Sequence, residues 1–408
     1  MSIAESLTRG AGRSANVEFV SAYPTRALRA EDGYAAVTGD VLSNLLDHFG
    51  WTVTREYFVN DTGPQLDALA RGVYARCIAP DDFARDDISG LAEKVRQRID
   101  PGLLGAPEER WLPSVREASI DIALGTIRAE LAALGVRFDL FSRESALGLG
   151  TARAEMLARF AARGQLCDTN GHPLRADDLP PTGRALLATD RAGDSRTRPL
   201  TGGDGQPTYF ANDLAYHAGK IARGHALLID VFRRDHASYA PGLKAGVSLL
   251  SEGAAALSVC LIDPVKPAAD ETPSPRAQGQ GGPPGLSELL AFYGPATLRH
   301  LCLSHVPGTP LEIALDAGTR AALEGREKRQ RAALALPEDT GAKACAPEPL
   351  DEMLARSLGE LAPGMLMAHA DAIARSAESV ASIHPDDLFA LKSCRALLGL
   401  AEPQEISP

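Results

Sequence analysis

The chain has 408 residues, 45% of them apolar, enough for two or three domains and a substantial core. Its formal net charge of -11 argues against a broadly basic nucleic-acid-binding surface, although a local patch on an acidic protein can still bind RNA. No apolar run approaches the roughly 18 residues that cross a bilayer, and residues 1–16 lack the apolar segment of a secretory signal, so the expectation is a cytoplasmic protein without membrane contact.

Val17–Ser21 reads as a short buried strand, and Val37, Val41, Leu42, Leu45, Leu46 and Phe49 then recur at helical spacing. Gly50 ends that helix, a β-branched and aromatic run follows from Thr52, and Asn60-Asp61-Thr62-Gly63 turns the chain. This is a βαβ unit. Its first βα turn, where such folds hold nucleotides at a helix N-terminus, falls at Ala22–Tyr34. Residues 64–205 read as an insertion with helical stretches such as Val115–Leu134, and the fold resumes over 206–316. Within that second part, Tyr209 and Asp213 are four apart near a helix start and share a face, a spacing that suits a guanidinium but also an ordinary core tyrosine and a dipole-stabilised carboxylate. Residues 264–285, rich in Pro and Gly, predict a mobile loop. The remainder, 317–408, predicts a charged helix over 319–335, an apolar helical segment over Leu350–Ile383 and a final one over Leu388–Leu400. Glu324 and Glu327, set among Arg320, Arg326, Lys328, Arg329 and Arg331, point to a solvated helix face there. The six cysteines are scattered and the histidines lack metal-ligand spacing, so no metal site is expected.

Val17–Asp40, VEFVSAYPTRALRAEDGYAAVTGD, closely resembles the start of the catalytic domain of arginyl-tRNA synthetases. Further matches follow in the family's order: Phe138, Asp139, Ser142 and Ser145; Pro207–Lys220; Asp235, His236, Tyr239, Pro241 and Leu243–Ala245; and Tyr293–Asp316. The resemblance implies an α/β class I synthetase core, a Rossmann-like parallel sheet split by an insertion (17–63, 64–205 and 206–316), with a shortened helical C-terminal remnant of the anticodon-binding domain. It also implies that the family's N-terminal tRNA-contacting domain is absent. Arginine-site residues carried over are Ser21, Tyr23, Tyr209, Asp213, Asp235 and His236, with Tyr23 standing where the family has Asn.

The departures fall on ATP chemistry. Where the family has His-x-Gly-His, this chain has Arg29, Ala30, Glu31 and Asp32. The second signature survives only as Lys266, with Ala269 in place of the lysine that reaches the phosphates. Arg29, Glu31 and Asp32 read as a surface ion-pair cluster, and Gly39 and Asp40 as close helix packing with a local hydrogen bond. Three functions compete. The favoured one is a non-catalytic paralogue that keeps an arginine-type pocket as a binding or regulatory module. The second is a working arginine-tRNA ligase using ATP with Mg, and the third a structural subunit that pairs with a complete synthetase. Arginine or an arginyl group, tRNA and a protein are the candidate partners.

Overall fold

The structure, a computed structural model, describes residues 7–80, 87–175, 183–268, 284–305 and 308–400. Strand β1 (Ser14–Glu18) leads through a loop into helix α1 (Ala30–His48), and the chain returns as β2 (Thr52–Val59), parallel to β1 with Val17 opposite Arg55. The strand expected over Val17–Ser21 is displaced toward the N-terminus. Val20 and Ser21 have φ of 69° and 44°, left-handed conformations that a strand of L-residues does not tolerate, so the apolar run extends past the strand's end. Apolar periodicity likewise missed the first turns of α1. That start is set by Asp32, whose carboxylate accepts from the Arg29 backbone N–H at 2.8 Å.

Helices α2 (Pro64–Ile78), α3 (Asp87–Arg98) and α4 (Glu108–Ala133) form a satellite cluster around Tyr74 and Trp111, whose rings stack 3.7 Å apart. The far end of α4 buries Ile120, Leu124, Ile127 and Leu131 in the main core before β3 (Leu140–Arg143) joins the sheet beside β2. Helix α5 (Leu149–Ala162) and three two-residue strands, β4 (Leu166–Cys167), β5 (Leu186–Leu187) and β6 (Arg198–Pro199), make a small antiparallel excursion. Then α6 (Tyr209–Ala222), β7 (His225–Arg233), α7 (Ala240–Ser251) and β8 (Ala256–Ile262) complete a parallel sheet of order β3-β2-β1-β7-β8. Both faces are covered. Leu227 and Ile229 enter the core that holds α1, while Leu228 between them enters the core of α5, α6 and α7, as strand alternation requires.

After β8 come β9 (Val265–Pro267), α8 (Leu286–Tyr293), α9 (Pro295–Leu303) and β10 (Leu311–Ile313), with β9 and β10 paired in parallel. The ends of the tract expected to be a loop over 264–285 are therefore anchored. The Leu286 N–H donates to Leu28 O at 2.8 Å and the Ala30 N–H to Pro284 O at 3.2 Å, fastening the tract's far end to the start of α1. Residues 269–283, Ala269 among them, lie outside the described residues.

The tail comprises α10 (Ala317–Leu334), α11 (Leu350–Gly359), α12 (Gly364–Ala377) and α13 (Pro385–Leu397). The single segment expected over Leu350–Ile383 is two helices, broken where Leu361 takes φ of 51° ahead of Pro363. Nor is α10 a wholly solvated helix, because Glu327 accepts from buried Arg395 at 2.9 Å and Gln330 is buried. Asp40, too, bonds at long range: buried Arg299 of α9 donates to its Oδ2 at 2.6 Å and to Leu398 O at 2.7 Å. Its neighbour Gly39 does mark close packing, since a Cβ there would meet Phe19 at 2.2 Å. No helix among the described residues is long and apolar enough to cross a membrane.

Candidate active site

The chain leaves β1 toward β2 on one side and, much later, returns as β7 on the other, so a crevice opens outside the carboxyl ends of these strands. It holds two contiguous cavities. The inner one, about 240 Å³, is lined by Glu18, Tyr23, Tyr209, Asp213 and Asp230; the outer, about 290 Å³, shares Glu18, Tyr23 and Tyr209 and adds Arg26, Glu31, Asp32 and His236.

The inner cavity rests on a buried ionic network. Lys220 Nζ lies 2.5 Å from Glu18 Oε2 and 3.2 Å from Asp230 Oδ1, and His217 bridges Asp230 (3.0 Å) and Asp213 (3.1 Å). Burial and the charge of Lys220 oppose protonation of His217, but Asp230 and Asp213 outweigh them and push it up to about 10. Burial, with the nearby charge of Asp230, raises Glu18 against the pull of Lys220. Burial opposes ionisation of Asp230 as well, yet Lys220 and His217 hold it below the usual carboxylate range. Beneath lies a second knot: Glu56, fully buried, accepts from Ser142 (2.5 Å), Asn16 (2.6 Å) and Tyr216 (2.8 Å) and pairs with Arg223. It ties β1, β2, β3 and α6 together and fixes the floor.

In and beneath the inner cavity Glu18, Asp213 and Asp230 face Lys220 and protonated His217, and Glu144 in the lining adds a further carboxylate. Asp213 accepts from the Tyr239 hydroxyl at 2.8 Å, and burial together with Asp213 raises that phenol, keeping it a donor. Asp213 lines the cavity, its other oxygen 3.1 Å from His217 Nδ1. Tyr23 and Tyr209, 40% and 68% exposed, stand at the mouth as aromatic walls. A planar cation able to donate to a carboxylate and stack on phenol rings matches this chemistry.

The outer cavity is different. Arg26 makes a two-pronged bond to Asp32 (2.6 and 3.2 Å), and Glu31 lies 3.8 Å from Arg26 and 3.4 Å from Arg233. The N-terminus of α1 therefore meets its own carboxylates, already bonded to guanidinium groups. The cations of this cluster are Arg26 and Arg233; Arg29 is exposed and lines neither cavity.

The crevice thus brings together Tyr23, Tyr209 and Asp213 in the inner cavity and Ser21, Tyr23, Tyr209, Glu31, Asp32 and His236 in the outer. Ser21 acts on the floor: its hydroxyl donates to Glu18 at 3.0 Å and accepts from the Phe58 N–H at 3.0 Å. Asp235 is not in the lining and pairs at the surface with Arg233 at 2.9 Å. Lys266 is exposed on β9, away from both cavities. Glu18, His217, Lys220 and Asp230 escaped sequence reasoning. Asp213, His217 and Lys220 recur at one-face helical spacing inside an apolar stretch, a signal that would have found two of them. Among the described residues no group of three or more His, Cys, Asp or Glu side chains can hold a metal ion.

No family model matches the chain. The arginine--tRNA ligase of Ruegeria pomeroyi is 35% identical over 320 residues, spanning 75% of this chain and 55% of that protein. That of Roseobacter denitrificans is 36% identical over 320 residues with the same coverage. This chain thus spans about half the length of these curated relatives. Among solved structures, a Campylobacter jejuni protein provisionally named an arginyl-tRNA synthetase matches at TM-score 0.73 and 20% identity, covering 97% of this chain and 95% of that one. The Thermus thermophilus arginyl-tRNA synthetase matches at TM-score 0.65 and 14% identity, covering 98% and 85%. These two share the fold, and the curated relatives extend the likeness to sequence: the chain belongs to the arginyl-tRNA synthetase family.

Proposed function

We propose that this chain binds arginine, or an arginyl group, in the inner cavity and does not activate it with ATP. The observation that carries the reading is the first turn of α1. In a nucleotide-binding βαβ unit that turn offers free N–H groups and positive potential to phosphate. Here Glu31 and Asp32 put two carboxylates there, and Arg26 and Asp32 are bonded to each other. ATP phosphates would meet negative charge and guanidinium groups already paired.

Magnitudes favour the same reading. Loss of one preorganised transition-state stabiliser costs about 2.7 to 4 kcal/mol, so loss of the two signatures, each counted as a single stabiliser, amounts to on the order of 5 to 8 kcal/mol, or about 10⁴ to 10⁶ in rate. The inner cavity has no such deficit. Its negative charge and aromatic walls serve a guanidinium without any nucleotide.

Two measurements on the purified protein test this. Calorimetry with arginine is expected to show binding without ATP. Exchange of labelled pyrophosphate into ATP, with arginine and with or without tRNA, is expected at background. Exchange at ordinary synthetase rates would establish instead the ligase activity that the relatives' names carry. Absence of arginine binding would favour a structural subunit.

A further inference from the structure

The two cavities of the crevice meet across a shared wall of Glu18, Tyr23, Phe58, Asn60, Tyr209 and Phe232. With a guanidinium at Asp213, the backbone end of the ligand lies toward that wall, and the surroundings of the wall decide which form of arginine is held. Charge is the first constraint. The lining of the inner cavity contains Glu18, Glu144, Asp213 and Asp230 and no Lys, Arg or His. Among the described residues only Lys220 and protonated His217 pair with these four carboxylates: Lys220 with Glu18 and Asp230, His217 with Asp213 and Asp230. Two cations thus stand against four carboxylates, a local excess of two negative charges. Free arginine, whose own carboxylate cancels one of its two positive charges, matches only half of that excess. Arginine with its carboxyl group turned into an amide matches all of it.

Hydrogen bonding and shape carry the same preference outward. The side-chain amide of Asn60, on the shared wall, is hydrogen-bonded to no described residue. A primary amide offers a donor and an acceptor together, the complement of a peptide unit. Beyond it the outer cavity adds Phe19, Val20, Val231 and Ile262, and its ions are paired with one another, Arg26 with Asp32 at 2.6 Å and Arg233 with Glu31 at 3.4 Å. Such a chamber suits an uncharged group with apolar surface.

We propose that the crevice holds the N-terminal arginine of a peptide. The guanidinium lies at Asp213, the free α-ammonium among the lining carboxylates, the first peptide unit at Asn60 and an apolar second side chain in the outer cavity. This assignment rests on the arginine reading of the inner cavity and names the form of arginine it takes. Calorimetry on the full chain near pH 7, where most of an α-amino group is protonated, compares arginine, argininamide and arginyl-leucinamide. Argininamide is expected to bind at least about tenfold more tightly than arginine, and arginyl-leucinamide about tenfold more tightly again. N-acetylargininamide, which lacks the ammonium charge, is expected to fall at least about tenfold below argininamide. Glu144→Gln keeps an acceptor for the Thr62 hydroxyl, now 2.6 Å away, and is expected to narrow the advantage of argininamide over arginine at least about threefold. Asn60→Ala is expected to weaken arginyl-leucinamide about two- to tenfold. Thermal melts check that both variants fold. Arginine bound as tightly as argininamide, arginyl-leucinamide no tighter than argininamide, or an unchanged preference in Glu144→Gln would overturn the proposal and leave the arginine reading standing. Agmatine, a dication without a peptide unit, bound more tightly than arginyl-leucinamide would overturn it too. Absence of binding by every one of these compounds would overturn both.

Discussion

Asp213 gives one oxygen to the Tyr239 hydroxyl and sets the other beside His217, so the pocket carboxylate is oriented before any ligand arrives. Asp213→Asn keeps this shape and removes the charge. It is expected to weaken arginine by about 1.5 to 3 kcal/mol in calorimetry, and lysine is expected to bind far less well than arginine to the wild type because it cannot make two parallel bonds. Equal arginine affinity in the variant would place the guanidinium elsewhere. Two other buried residues, both histidines, respond to pH with opposite signs. His217 is pushed up to about 10, so it binds its proton more tightly folded than unfolded. Its contribution to stability is complete below about 6.5 and is lost as pH rises through about 10. His369 is buried with neither ring nitrogen hydrogen-bonded among the described residues, and burial lowers its affinity for a proton. There the unfolded chain binds the proton more tightly, so stability falls as pH drops below about 6.5. Urea midpoints measured against pH are expected to lose their alkaline slope near 10 in His217→Asn and part of their acid slope in His369→Leu.

At the scale of elements, the βαβ unit was legible because apolar period and turn residues agree, yet its boundaries were not. Val20 and Ser21 look like strand and adopt left-handed φ, and Ala30–Asp32 look like loop and open a helix capped by Asp32. Hydrophobic pattern reports burial, and burial does not stop where backbone pairing stops. The same limit hid the partner of Asp40. Sequence spacing suggests only local bonds, whereas Arg299 lies on a distant element and is brought there by the fold. This pair sutures α1, α9 and the end of α13, and all its donors are buried. Arg299→Ala strands the buried Asp40 carboxylate and the carbonyls of Leu398 and Leu134, so a loss of roughly 3 to 5 kcal/mol is expected from urea unfolding. A change near zero would mean that water replaces the guanidinium. Tyr209 and Asp213 were legible as a pair because four-residue spacing fixes a shared helix face; Glu18, on a strand, carries no such mark, and only sheet topology brings it to the crevice.

Over the whole molecule, the proposed arginine site and the turn where a nucleotide's phosphates would lie are built on different supports, so under the proposed function one can persist without the other. The inner cavity stands on α6, β1 and β7 and is braced by the Glu56 knot, whereas the phosphate end stands on the loop and first turn of α1. Rebuilding the second support is therefore not a matter of three side chains. The combined substitution Arg29→His, Glu31→Gly and Asp32→His would restore the family's first signature, but Asp32 also caps α1 through the Arg29 N–H and holds Arg26 in a two-pronged bond. Losing the cap costs about 0.5 to 2 kcal/mol, and glycine in the first turn adds to it. The triple variant is therefore expected to melt lower than the wild type, to bind arginine as before, and to show no pyrophosphate exchange, because the lysine of the second signature is still missing. Exchange restored by these three changes alone would show that the rest of the machinery is intact, and the reading of a binding module would give way to that of an enzyme silenced at one loop.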